Sequence, residues 1–209
     1  MAASLRLILA SGSEGRRNLL TKAGYTFEVI PSGVEEPSFE GVTDPRAYVK
    51  QTATLKAAAV AAKLKGQPAA VLAADSIVWH QNHIIGKPAD EADARRILSS
   101  LCDTTHELWT GVALFHAQKD WRMTWEERSI VAAQKLTVQE LDALLATGVW
   151  KDKSGAYGIQ EEGDDPFLCV VEGTVSNVVG LPMESLAGML KLLGIEPHSS
   201  LARMAAPGA

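Results

Sequence analysis

The sequence predicts an α/β fold in which helices flank a mixed, twisted sheet. Three observations predict it. Short continuous apolar runs, such as Leu5–Leu9 and Ala69–Ala74, read as buried strands. Other stretches carry apolar residues at helical spacing between recognisable caps. The two kinds of segment alternate along the chain, as helices covering a sheet require.

Each element has its own signal. After Leu5–Leu9, the turn Ser11-Gly12-Ser13 leads into a helix with Leu19, Leu20 and Ala23 inward, and Gly24 stops it. Thr26–Ile30 reads as a strand. Asp44-Pro45 opens a helix, Asp as N-cap and Pro at the first position, with Val49, Ala53, Val60 and Leu64 on one face and Gly66 at its end. The run Ala69–Ala74 is expected to end at Asp75. Ile77–Ile85 reads as a hairpin turning at Gln81-Asn82. Asp90 caps a helix with Ala94, Ile97, Leu98 and Leu101 inward. His106–His116 and Met123–Ala133 read as long strands. Thr137-Val138-Gln139-Glu140 is a capping box before Leu141, Leu144 and Leu145. Phe167–Val171 reads as a strand, and Pro182 opens a last helix to about Leu193. No repeat or linker divides the chain, so residues 1–195 are read as one domain. The more antiparallel stretch 76–150 is a candidate second lobe, and residues 196–209, rich in Pro, Ser, Ala and Gly, are expected to fray.

Composition bounds the function. The chain has 209 residues, 46% hydrophobic and 22% charged, values ordinary for a globular core. A net charge of −5 argues against a protein that wraps long nucleic acid, because such a surface must neutralise phosphates. It leaves room for one nucleotide in a locally basic pocket. No run of about 18 apolar residues appears, so no membrane span is expected. The start, Met-Ala-Ala-Ser, lacks the regions of a secretory signal, so the cytoplasm is the expected compartment. The two cysteines, Cys102 and Cys169, form no C-x-x-C and are expected to be buried, reduced thiols.

Several residue groups could carry chemistry. In Ser11-Gly12-Ser13-Glu14-Gly15-Arg16-Arg17 a strand gives way to a small-residue turn and a helix start, where backbone N–H groups, hydroxyls and arginines can hold phosphate oxygens. The same stretch reads equally well as a plain turn with Ser13 as N-cap. It is not a Walker loop, since no G-K-[ST] follows. Asp75 closes an apolar run at the edge where open sheets gather ligands, and taken alone it is as easily a turn residue. Lys56 lies on the apolar stripe of its helix, so it either snorkels to water or reaches an anion. Lys87 sits between Gly86 and Pro88, which restrain its backbone. Glu35-Glu36 is an acidic loop pair, one of which could offer oxygen to Mg²⁺. His80-x-x-His83 has a metal-like spacing but brackets a hairpin tip, and exposed turn residues are the expectation. Ser13 lacks the preceding glycine of G-x-S-x-G, which counts against a serine hydrolase.

Taken in order, these pieces resemble the Maf family of nucleotide pyrophosphatases. The matching stretches are Leu-Ala-Ser-Gly-Ser with Arg16 and Leu19-Leu20, then Glu36, Ala-Thr-Leu-Lys-Ala around Lys56, and Ala-Ala-Asp-Ser at 73–76. They continue with Gly-Lys-Pro at 86–88, Thr-His-Glu-Leu-Trp-Thr-Gly-Val at 105–112, Lys-Ser-Gly-Ala-Tyr-Gly-Ile-Gln at 153–160 and Ser-Asn-Val-Val-Gly-Leu-Pro at 176–182. The resemblance implies a Maf/ITPase-like mixed sheet in two lobes with a central cleft, often as a homodimer. It implies a hydrolase dependent on a divalent cation, Mg²⁺ or Mn²⁺, that cleaves nucleoside triphosphates between the α- and β-phosphates. By position, Asp75 would be the catalytic acidic residue. Ser11, Arg16, Lys56 and Lys87 would bind phosphates, with Ser13 and Gly15 in the same turn. Glu36 and Asp75 would hold the metal, and Ser76 and Gln160 would help choose the base.

The chain departs from the family pattern at Glu14-Gly15-Arg16, where Pro-Arg-Arg is usual. Ser76 replaces the common Thr and keeps its hydroxyl. Ser76 and Gln160 resemble the subgroup that prefers dTTP, UTP or modified pyrimidine nucleotides, in a house-cleaning role. A Gly15→Arg change is expected to tighten pyrimidine binding. The alternatives are a 7-methyl-GTP pyrophosphatase of the same family, a phosphatase for other small phosphoesters, and a non-catalytic nucleotide-binding regulator of septum formation.

Overall fold

A computed structural model describes residues 5–159 and 166–198. Its strands are β1 (Arg6–Leu9), β2 (Glu28–Val29), β3 (Ala69–His80), β4 (His83–Ile85), β5 (Thr104–His116), β6 (Trp121–Ala133) and β7 (Leu168–Glu172). They form one sheet in the order β2-β1-β3-β5-β6-β7, with β4 paired to β3. The β1 ladders to β2 and β3 are parallel, and the remaining ladders are antiparallel. The sheet is therefore mixed, and helices flank it, as the sequence predicts. No helix among the described residues is long and apolar enough to cross a membrane.

Helix α2 (Pro45–Lys63) covers one face. Its small residues Ala53 and Ala57, with Val60, pack on Ile8, Val71, Ala73 and Ala113. Asp44 caps it by accepting from the Arg46 N–H, and Pro45 stands at its start. The opposite face is shared. Near β1, Leu19 and Leu20 of α1 (Glu14–Lys22) and Leu186 and Leu190 of α6 (Met183–Leu192) pack on Leu7, Leu9, Leu72 and Leu114. Further along, α3 (Glu91–Leu101) and α4 (Val138–Ala146) bring Ile97, Leu98, Leu101, Leu141 and Leu145 onto Val78, Leu108 and Val131. Each fully buried Leu or Ile contributes about 1.5–3 kcal/mol of burial free energy. The capping box Thr137–Glu140 forms reciprocally, as its sequence predicts.

Several expectations need correction. The strand carrying Asp75 does not stop there. β3 runs on to His80, and Asp75 is an interior residue opposite Gly111. A charged side chain read as a strand end is accommodated because Lys56 of α2 sits over it. His80 is buried at the end of β3, while His83 is exposed. Strand alternation turns His80 inward, edge-on to the His106 ring at 6.5 Å. The cysteines are free but not buried. Cys102 is partly exposed and Cys169 is exposed on β7, where alternation turns it away from its apolar sequence neighbours. The Gln81-Asn82 turn is as expected, with positive φ at both residues. Two short elements escaped the sequence reading: a 3₁₀ turn, Ser154–Ala156, and helix α5 (Val175–Val179). Of the stretch expected to fray, residues 196–198 are described, and the His198 N–H donates to Gly24 O at 2.9 Å.

Candidate active site

The site begins with a gap in the sheet. β1 ends at Leu9, paired with Leu72, and β4 joins the same edge of β3 only at Val78. Between Leu72 and Val78 that edge has no strand partner among the described residues. Asp75 and Ser76 lie in this window and point to opposite faces of the sheet. Asp75 meets α2, and Ser76 meets α1 and β5. Around the window opens a cleft of about 1220 Å³. Among the described residues, seven Lys and Arg side chains against four carboxylates line it. This cation excess, in a chain of net charge −5, is what a polyanionic ligand requires.

On the α2 face, Lys56 Nζ donates to Asp75 Oδ1 at 2.7 Å and to Glu36 Oε1 at 2.6 Å. Lys56 and Asp75 are buried, while Glu36 sits at the cleft mouth. Lys56 therefore reaches anions and does not snorkel. Its approach depends on Gly111. A Cβ there would lie 2.4 Å from the Val49 backbone, so the missing side chain lets α2 settle onto the sheet. Burial raises the Asp75 carboxyl above its ordinary range, and Glu36 adds to this, although Lys56 and Arg16 oppose it. Partial burial also works to raise Glu36. Its hydrogen bond to Lys56, with the charges of Lys56, Lys87 and Arg16, outweighs that effect and holds it below its ordinary value.

On the other face the phosphate-type turn is built around Arg16. Its Nη1 donates to Ser11 Oγ at 3.1 Å, Nη2 to Ser76 Oγ at 3.1 Å, and Nε to Gly180 O at 2.8 Å. Among the described residues, two of its five N–H groups are left without a partner and can serve a ligand. Ser11 Oγ also accepts from the Ser13 N–H at 3.2 Å. Both Ser11 lone pairs are then engaged, so its O–H is left to donate toward an anion. Ser13 caps α1 through the Arg16 N–H. Both readings of this turn thus hold together: it caps a helix and it faces the cleft. Arg17 is exposed, and Lys87 stands exposed on the cleft wall.

The structure brings together Ser11, Ser13, Gly15, Arg16, Glu36, Lys56, Asp75, Ser76 and Lys87 along one cleft. Gln160 lies outside the described residues. Gly15 is not open space. A Cβ there would stand 2.9 Å from Val179 Cγ1 and 3.3 Å from Val179 O of α5. The expected gain from Gly15→Arg therefore meets a wall that the sequence did not reveal. Sequence reasoning also missed Thr110, Gly111 and Tyr157. All three sit inside matched stretches, so the signal was present without an assigned role. Tyr157 lines the cleft and its hydroxyl meets His106 Nε2 at 2.7 Å. Burial, with His80 nearby, pushes the His106 imidazole down to about 4.

Known sequences point to a family. A sequence model of the family described as Maf-like protein matches residues 6–193. The chain belongs to this family. A dTTP/UTP pyrophosphatase of Bacillus cereus (strain AH820) is 41% identical to the Maf-like chain over 191 residues, which is 91% of this chain and 97% of that protein. Proteins with the same name from Bacillus thuringiensis subsp. konkukian (strain 97-27) and Bacillus anthracis match at the same identity and coverage.

Within the cleft, the carboxylates of Glu36 and Asp75 both meet Lys56 Nζ. One or two carboxylates, completed by water and substrate phosphate oxygens, is the donor set Mg²⁺ favours. The residues present therefore fit such an ion.

Proposed function

We propose that this Maf-like chain hydrolyses nucleoside triphosphates to nucleoside monophosphate and pyrophosphate, with dTTP and UTP preferred. The observation that carries the reaction is the buried Asp75–Lys56 pair opening onto a cation-lined cleft. The names of the relatives support the choice of base.

In this reading Asp75 takes a proton from a water molecule as its oxygen attacks the α-phosphorus. The bond from that phosphorus to the oxygen bridging to the β-phosphate breaks, and pyrophosphate leaves with the electron pair. A carboxyl raised by burial is a stronger base than a solvated one, which suits this role. Lys56, Lys87 and Arg16 offset charge on the departing pyrophosphate. The Ser11 hydroxyl and the N–H groups at the start of α1 hold phosphate oxygens. Glu36 and Asp75 would hold Mg²⁺ or Mn²⁺, which supplies charge neutralisation and polarisation of phosphate oxygens. A cytoplasmic homodimer belongs to the same reading, and sedimentation of the purified protein checks the dimer.

The test is a panel of nucleoside triphosphates with Mg²⁺ or Mn²⁺, with products separated by chromatography. We expect monophosphate and pyrophosphate, fastest from dTTP and UTP. A kcat/KM favouring 7-methyl-GTP overturns the base assignment. Tight nucleotide binding without turnover leaves a non-catalytic regulator instead.

A further inference from the structure

Ser76 is held by a chain of hydroxyls whose proton directions the geometry fixes. Thr110 is fully buried, and its Oγ1 lies 3.1 Å from Asn177 O and 2.9 Å from Ser76 Oγ. A carbonyl only accepts, so the Thr110 proton goes to Asn177 O. Turned toward Ser76 instead, it would leave two oxygens facing each other, lone pair to lone pair, in a buried site, which is costly. Thr110 Oγ1 therefore accepts from Ser76, and the single Ser76 proton is spent there. Arg16 Nη2, which only donates, occupies one Ser76 lone pair at 3.1 Å. The remaining valence of Ser76 toward the cleft is a lone pair. Ser11 has the opposite polarity, because its two acceptors are engaged and no described residue takes its proton.

Both hydroxyls meet the Arg16 guanidinium, at 3.1 Å each, so what separates them is the rest of their surroundings. Ser11 stands in the cationic turn. Ser76 stands on the face where Leu108, Ile159, Val178 and Val179 line the cleft, a wall suited to an uncharged ring. We infer that Thr110 is a positioning residue for base selection. By holding Ser76 as an acceptor only, it makes the cleft favour a pyrimidine whose ring nitrogen carries a proton, as in thymine and uracil. Cytosine presents a bare lone pair at that nitrogen and meets the Ser76 lone pair head-on. The inference rests on the proposed triphosphate hydrolysis and adds the group that sets its discrimination.

The experiment compares kcat/KM for UTP and CTP in the wild type, Thr110→Val, Thr110→Ser and Ser76→Ala, with pyrophosphate measured directly. We expect the wild type to favour UTP by about tenfold or more, the scale of one unpaired buried polar group. Thr110→Val keeps the shape but frees the Ser76 proton, and the UTP:CTP ratio should fall by about tenfold. Thr110→Ser should restore it, which a merely structural role for the side chain does not predict. Ser76→Ala removes the acceptor and should flatten the ratio as well. If Thr110→Val does not fold, Thr110→Ala takes its place with the same expected fall. A ratio within about twofold of wild type in folded Thr110→Val, or in Ser76→Ala, overturns the inference, as does a wild type that takes CTP as readily as UTP. Absence of pyrophosphate from every triphosphate is a different result. It overturns the proposed reaction, and this inference with it.

Discussion

Among single residues, the proposed chemistry rests on Asp75 and Lys56. Asp75→Asn should cut kcat by roughly 10²–10⁴-fold, the usual loss for a general base. Circular dichroism should stay native, because Lys56 keeps Glu36 as its partner. Retention of half the wild-type rate would remove Asp75 from the chemistry. The pH profile gives a second handle. Burial already raises the Asp75 carboxyl, and Lys56 is the main force holding it down. Lys56→Met removes that cation, favours the protonated acid and should move the acidic limb of kcat/KM to higher pH. An unmoved limb would show that another group sets it. Gly15 supplies a third test. Because a Cβ there meets Val179 Cγ1 at 2.9 Å, Gly15→Arg should raise KM for UTP, and adding Val179→Ala should recover much of the loss. A single Gly15→Arg that lowers KM would show that α5 yields without cost.

Among the helices and strands, the site depends on how closely α2 lies on the sheet. Gly111→Ala puts a methyl group against Val49 backbone and should destabilise by about 3 kcal/mol, with loss of activity as Lys56 and Asp75 separate. Thr137→Ala removes the α4 cap and should cost about 1 kcal/mol while leaving kcat/KM unchanged. Thermal melts and UTP kinetics on both variants separate packing at the site from packing elsewhere. Caps, helix stripes and the Gln81-Asn82 hairpin were legible in the sequence because each is a local device, fixed by a few adjacent residues. Asp75 was misplaced at a strand end because what tolerates a carboxylate inside a strand is a lysine nineteen residues away on another element. The obstruction at Gly15 comes from α5, a short helix without an apolar period long enough to read. Thr110 and Gly111 stood in a recognisable stretch, but their work depends on contacts with Asn177 and Val49, which only the fold brings near.

Across the molecule as a whole, two features tie the fold to its charges. One is the cation-lined cleft in an acidic chain. The other is the neutral imidazole buried between β3, β5 and the Tyr157 loop. His106 sits at about 4 against 6.5 when free. The unfolded chain therefore takes up a proton below pH ~6.5 that the fold refuses until pH ~4. The stabilisation linked to neutral His106 is complete above the upper value and is lost as pH falls through that window, by about 3 kcal/mol in all. Denaturant titrations at about pH 7 and pH 4.5 should show a smaller drop in His106→Gln than in wild type. An equal drop would mean that carboxylates elsewhere account for the whole acid response.

Everything proposed for this cleft depends on cleavage of a nucleoside triphosphate between its α- and β-phosphates. Phosphorus NMR of the purified protein with UTP and Mg²⁺ decides that point, because the products report which bond broke. We predict UMP and pyrophosphate in equal amounts, with turnover stopped by EDTA, restored by Mg²⁺ or Mn²⁺, and nearly absent in Asp75→Asn. Release of UDP and inorganic phosphate, or unchanged turnover in metal-free buffer, would contradict it.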